Sequence, residues 1–172
     1  MLNALHVMGE YWEPDADEPT ALGALVGAVR NAESVSALRE LERLLSGFVL
    51  GLDLPVGPLV AAVPPGPDRV AHPVPSLAAC VAEALDVDSV RAVLTRSFAT
   101  PQLRDTPVGR RRDVVEAAGY AVNATVRGRS VVLVDDVVLT GTTLDYLAEI
   151  LLDAGAAEVV GIVAARTRLR DG

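Results

Sequence analysis

The chain has 172 residues and a formal charge of −8; just over half its residues are apolar, yet only 3% are aromatic. That length suits one domain with a real core, and the charge argues against broad binding to nucleic acid, which needs Lys and Arg to neutralise phosphates. A single cysteine, Cys80, allows neither an internal disulfide nor a multi-cysteine zinc site. No apolar run reaches the ~20 residues of a membrane helix, and Met1 is not followed by a signal-like core, so a cytoplasmic protein with no membrane partner is expected.

In chain order, residues 4 to 12 form a short strand ending at Trp12, and the Pro- and acid-rich stretch 13 to 19 is a loop. A helix starts at Thr20, with Leu22, Leu25, Val26 and Val29 on one face. A second runs from Ser34 to Phe48 through Leu38, Leu41 and Leu45, and Gly47 and Gly51 break the pattern. Pro58 to Val63 reads as a buried strand entering the turn Pro64-Pro65-Gly66-Pro67. Ser76 is read as the N-cap of a helix that turns Leu77, Cys80, Val81, Ala84 and Leu85 inward. Arg91 to Arg96 is a short strand, and 97 to 117 a mobile basic loop with at most one helical turn. A strand at 120 to 125 and a Gly128–Arg129 turn lead into Val131, and Gly155 and 158 to 165 supply a helix C-cap and a last strand. Strand–helix alternation predicts an α/β fold with a mostly parallel central sheet flanked by helices. Ligands bind such a sheet beyond the carboxyl ends of its strands.

The densest information lies in Val131 to Thr143, VVLVDDVVLTGTT. A continuous apolar run is what a central parallel strand needs. After Thr143, Leu144, Leu147, Ala148 and Leu151 recur at helical spacing. The small loop between strand and helix offers free backbone N–H groups and a partial positive charge to a phosphate. Asp135 and Asp136 would repel that phosphate, but they can accept hydrogen bonds from hydroxyls of a sugar that carries it.

This pattern resembles the signature of type I phosphoribosyltransferases. The resemblance implies a Rossmann-like domain with a small N-terminal hood: one domain over 1–172, with 1–52 as its helical hood part and 53–172 as its core. It implies that Asp135 and Asp136 hold the ribose hydroxyls of phosphoribosyl pyrophosphate. Leu139, Thr140, Gly141, Thr142 and Thr143 would cradle the 5′-phosphate. Mg²⁺ would be held through the ligand, with Asp135 or Asp136 reaching it directly or through water.

Pro65, Gly66 and Arg69 would face the pyrophosphate; the competing reading is a rigid structural turn, because prolines lack N–H donors. Residues 96 to 112 are read as a lid in which Gln102, Arg110, Arg111 and Arg112 close over the reaction, with Arg96 as candidate catalytic residue. The activity implied is phosphoribosyl transfer to or from a nitrogen nucleophile, with pyrophosphate as co-product.

The chain is also similar to the ComF-like, amidophosphoribosyltransferase-like branch. The matching features are Tyr11, the paired helices, Val63–Pro64 with Arg69, Thr100-Pro101-Gln102-Leu103, the Leu133–Asp136 segment and Ala154-Gly155-Ala156. Three features depart from that branch. The N-terminal zinc ribbon is missing. The stretch around His72 to Pro75 replaces the usual Gly-Phe-Asn-Gln. Leu139 stands where relatives carry Thr or Asp, which disfavours 6-oxopurines. The branch implies an alternative, a non-catalytic ligand sensor or a partner-binding protein of DNA uptake, and it leaves a homodimer open. Cys80 is read as core rather than nucleophile, and His6 and His72 lack partners at zinc-ligand spacing. His72 could still contact substrate. Tyr11 and Trp12 either form a hood over a base or pack against the sheet, and packing is preferred.

Overall fold

The structure, a computed structural model, describes residues 1–67, 72–87 and 93–168. Its strands are β1 (Ala4–Glu10), β2 (Leu59–Ala62), β3 (Leu94–Arg96), β4 (Tyr120–Val122), β5 (Ser130–Val138) and β6 (Glu158–Arg166). Its helices are α1 (Ala21–Ala32), α2 (Val35–Leu50), α3 (Val74–Ala84), α4 (Arg111–Glu116) and α5 (Thr142–Asp153). Four strands form one sheet in the order β1-β6-β5-β2, and every pairing in it is parallel. The expected α/β fold is therefore present.

The alternation of side chains along a strand divides the core into two layers. On one face, Val131, Leu133, Val159 and Val163 pack against Leu144, Leu147 and Leu151 of α5. On the other, Val132, Val134 and Ile162 meet Val26 of α1, Leu41 and Leu45 of α2, and Leu77 and Val81 of α3. Each such side chain contributes about 1.5–3 kcal/mol relative to exposure. The stretch expected as a hood, 1–52, thus supplies an edge strand and two helices to the same core.

Side-chain capping fixes the first two helices. The Thr20 hydroxyl accepts from the Gly23 N–H at 2.9 Å and donates to the Glu10 carbonyl at 2.7 Å, so one residue caps α1 and ties it to the end of β1. Ser34 caps α2 through the Ala37 N–H. Other boundaries differ from expectation. Gly47 does not end α2, which runs on to Leu50 because its apolar face continues through Val49. Ser76 is not the cap of α3, which begins at Val74; proline in the first turn suits a position where the N–H has no helical partner. Gly155, by contrast, closes α5 as expected, in a left-handed conformation at φ 97° directly after Ala154.

Two differences bear on the site. β3 lies outside the parallel sheet and pairs antiparallel with β4 in a two-stranded ribbon, because three-residue strands extend no ladder of their own. The segment 97 to 117, expected to hold at most one helical turn, carries 3₁₀ turns at Leu103–Asp105 and Val108–Arg110 and then α4. Arg111, 1% exposed, organises this stretch: its Nε donates to the Thr106 carbonyl at 3.1 Å, and the Thr106 hydroxyl donates to the Gln102 carbonyl at 3.0 Å. Among the described residues, no helix is long and apolar enough to cross a membrane.

Candidate functional site

Because the main strands run in parallel, their carboxyl ends meet along one edge of the sheet. There they bound a cleft of about 1140 Å³. β5 carries Asp135 and Asp136 into it, the turn after β2 brings Pro65 and Gly66, and the ribbon brings Arg96 and Tyr120. The two acids lie inside β5, which continues to Val138.

The Asp136 N–H donates to Asp135 Oδ1 at 2.9 Å. Burial pushes the Asp135 carboxyl well above the usual carboxylate range, the neighbouring charge of Asp136 pushes it further, and Arg30 opposes both. Asp136 is buried, and its Oδ2 stands 3.2 Å from Arg30 Nε. That contact is an ion pair rather than a directed hydrogen bond, since Oδ2 accepts no well-aligned donor among the described residues. Burial also raises the Tyr120 hydroxyl, while Arg96 pulls it down and Asp135 adds to the rise.

Beyond β5 the chain turns through Leu139, Thr140 and Gly141 into α5. Gly141 takes φ 82°, a left-handed conformation, and no side chain caps the helix behind it. An anion placed at this turn would therefore meet first-turn N–H groups with no capping side chain to compete for them. The Thr140 and Thr142 hydroxyls lie 2.9 Å apart at its mouth.

The Arg96 guanidinium donates from Nε to the Phe98 carbonyl at 3.1 Å and from Nη2 to the Thr100 hydroxyl at 2.6 Å. It lies 5.7 Å from the centre of the Tyr120 ring. A Cβ added to Gly66 would stand 3.6 Å from its Cζ, so the turn after β2 lies directly against this cation.

Of the other expected site residues, Gln102 lines the cleft, and so does His72, whose Nδ1 accepts from the Val74 N–H at 3.4 Å. Arg69 lies outside the described residues. The three arginines expected in a lid do not line the cleft. Arg110 pairs with Asp113, Arg111 is buried, and Arg112 pairs with Glu116 and Glu149 over the Tyr146 ring. Tyr11 and Trp12 reach the rim: Trp12 Nε1 donates to Thr167 Oγ1 at 2.9 Å, and the Tyr11 hydroxyl sits against Gly27.

Sequence reading missed Arg30 and Tyr120. The signal for Arg30 was its spacing, since it follows Val26 by four residues and so shares that inward face. Cys80 is inert by its setting: burial pushes its thiol up to about 11, and Sγ donates to the Leu77 carbonyl at 3.2 Å. Alkylation by iodoacetamide at pH 7.5 should accordingly be far slower than that of free cysteine and accelerate only above about pH 10. Rapid labelling of the folded protein at neutral pH would contradict this setting.

The phosphoribosyl transferase domain family model matches residues 75–170. The DNA utilization protein YhgH of Escherichia coli K12 is 34% identical over 92 residues, covering 54% of this chain and 37% of that protein. The protein of the same name from Shigella flexneri matches to the same extent. The chain thus spans 37% of the length of these curated relatives.

Among solved structures, an allosteric regulatory enzyme of purine biosynthesis aligns with TM-score 0.47 and 23% identity, over 74% of this chain and 26% of its own. A hypoxanthine phosphoribosyltransferase from Staphylococcus aureus aligns with TM-score 0.41 and 14% identity, over 78% of this chain and 72% of its own. With the family model spanning more than half of its residues and the acid pair leading into the Thr140–Thr143 loop, the chain belongs to the phosphoribosyltransferase domain family.

Proposed function

We propose that the cleft binds phosphoribosyl pyrophosphate with Mg²⁺ and transfers the phosphoribosyl group to a nitrogen nucleophile, releasing pyrophosphate. The observation that carries this reading is a convergence: Asp135, the uncapped start of α5 and Arg96 face one cleft. The α5 amides and the Thr140 and Thr142 hydroxyls take the 5′-phosphate, and the acids take the ribose hydroxyls. Arg96 takes the pyrophosphate, because three of the four residues in the Pro64–Pro67 turn are prolines and Gly66 alone has an N–H to offer.

The donor set fits Mg²⁺. Two adjacent carboxylates can give it one or two oxygens, and a magnesium ion takes its remaining ligands from substrate phosphates and water. When bound, the ion would neutralise charge on the pyrophosphate. Asp135 and Asp136 would hold it, directly or through water. Transfer passes through a cation-like ribose ring, so the protein contributes position and preorganised charge more than covalent chemistry.

Gln102 contacts the reaction from the rim, and Leu139 gives an apolar wall that disfavours an oxopurine. A lid role for Arg110 and Arg112 requires their exposed ion pairs to open, and such pairs hold with only about 0–1 kcal/mol. Arg111 anchors the segment instead.

The test is pyrophosphate release from phosphoribosyl pyrophosphate and Mg²⁺ in the presence of ammonia, simple amines or nucleobases. One nucleophile should accelerate release, and Arg96→Met should lower that rate by about 10²–10³-fold, the usual cost of losing one preorganised donor to developing charge. Binding without release under any nucleophile would favour a second reading, a ligand-sensing or partner-binding protein. That reading draws on the name of the relatives, DNA utilization protein, and on Leu139 in the cleft wall.

A further inference from the structure

Asp135 and Asp136 are neighbours on one strand, so their side chains leave opposite faces of the sheet. The packing agrees with this. Val131 and Leu133, in step with Asp135, join the α5 layer, whereas Val132 and Val134, in step with Asp136, join the layer of α1, α2 and α3. Asp136 therefore enters the layer beneath α1, where 5% of its side chain is exposed. A polar group so enclosed needs a partner.

Arg30 is that partner, with Nε 3.2 Å from Oδ2. It reaches the acid from the last turn of α1, a helix end that Glu33 terminates in a left-handed conformation at φ 49°. The guanidinium is not sealed in. About 31% of the Arg30 side chain is exposed, and it lines the same cleft as Asp135 and the Thr140–Thr143 loop. A cation and a buried acid thus stand side by side at the wall of one cleft, and the cation comes from an element remote in sequence from the signature.

We infer that Arg30 is a positioning residue of the sugar-phosphate site, holding the Asp136 carboxylate in place as an acceptor for the ligand's sugar hydroxyls. The inference rests on the cleft being the ribose-phosphate site proposed above. It separates the roles of the acids: Asp135 meets the ligand from the α5 side, and Asp136 does so only while Arg30 holds it.

The test titrates ribose 5-phosphate, and separately inorganic phosphate, into wild type, Arg30→Lys, Arg30→Met, Asp136→Asn and the Arg30→Met/Asp136→Asn double variant. Arg30→Met should weaken ribose 5-phosphate by about tenfold or more and leave inorganic phosphate unchanged, and Arg30→Lys should recover most of the loss. The double variant, which carries no unpaired buried charge, should bind no more weakly than Asp136→Asn alone, because the two residues act as one unit. That comparison decides the matter even if Arg30→Met alone does not fold.

Three results would overturn the inference: a folded Arg30→Met that binds ribose 5-phosphate like wild type, an equal loss for inorganic phosphate, or a double variant weaker than Asp136→Asn. Wild type that binds neither probe would instead remove the ribose-phosphate reading of the cleft, and the inference with it.

Discussion

Replacing Asp135 by asparagine should stabilise the unliganded protein and, at the same time, cost it most of its affinity for a ribose phosphate. Burial and the adjacent Asp136 charge raise the Asp135 carboxyl well above the usual range, so the folded state binds this proton more tightly than the unfolded chain does. Ionising the group therefore opposes folding. The contribution of Asp135 to stability declines as pH rises from the ordinary carboxylate value, about 3.9, through the raised folded value.

Asparagine removes that penalty. The variant should melt above wild type at pH 8, and the gap should close as pH falls towards 4. The same change replaces an acceptor of two hydroxyl bonds. Each charge-assisted bond contributes about 1.5–3 kcal/mol, so affinity should fall by about tenfold to a hundredfold per bond. Thermal melts across pH, paired with ligand titrations, read both effects. A variant less stable than wild type at pH 8 would show that Asp135 is a structural acid.

The second large effect is on folding. An alanine Cβ at Gly23 would stand 1.9 Å from the Tyr11 carbonyl oxygen and 2.8 Å from its carbon. Both are backbone atoms, so no rotamer relieves the overlap. The first turn of α1 is seated directly on the end of β1, where Thr20 also bonds to Glu10. Gly23→Ala must push the helix away, at a cost of about 3 kcal/mol, the upper end for overpacking. The displacement would pull Arg30 from Asp136.

Gly47→Ala is the control. Gly47 is exposed in the interior of α2, and an added Cβ there meets nothing within 4 Å. Helix propensity alone should then stabilise the protein by about 0.5–1 kcal/mol. Chemical denaturation of both variants separates the two outcomes, and equal effects would mean that α1 is not seated directly on the end of β1.

The strand–loop–helix from Ser130 to Asp153 was legible because each part has a local signature: a continuous apolar run, a small-residue loop, then apolar residues at helical spacing. The starts of α1 and α2 at Thr20 and Ser34 were legible for the same reason, though their capping bonds were not. What escaped were the features set by pairing across the chain. Arg30 meets Asp136 from 106 positions away, and only its place on the inward face of α1 hinted at a buried partner. The β3–β4 ribbon escaped because three-residue strands show too little alternation to reveal a direction. The burial of Arg111 escaped because a basic run reads as a solvated face until the fold closes over one member of it.

The central claim is that this cleft is a sugar-phosphate site. Calorimetric titration of phosphoribosyl pyrophosphate with Mg²⁺ into wild type and into an Asp135→Asn/Asp136→Asn variant tests it most directly. Saturable binding in wild type that disappears in the folded variant is the predicted result. No heat in either protein, or equal binding in both, would contradict it.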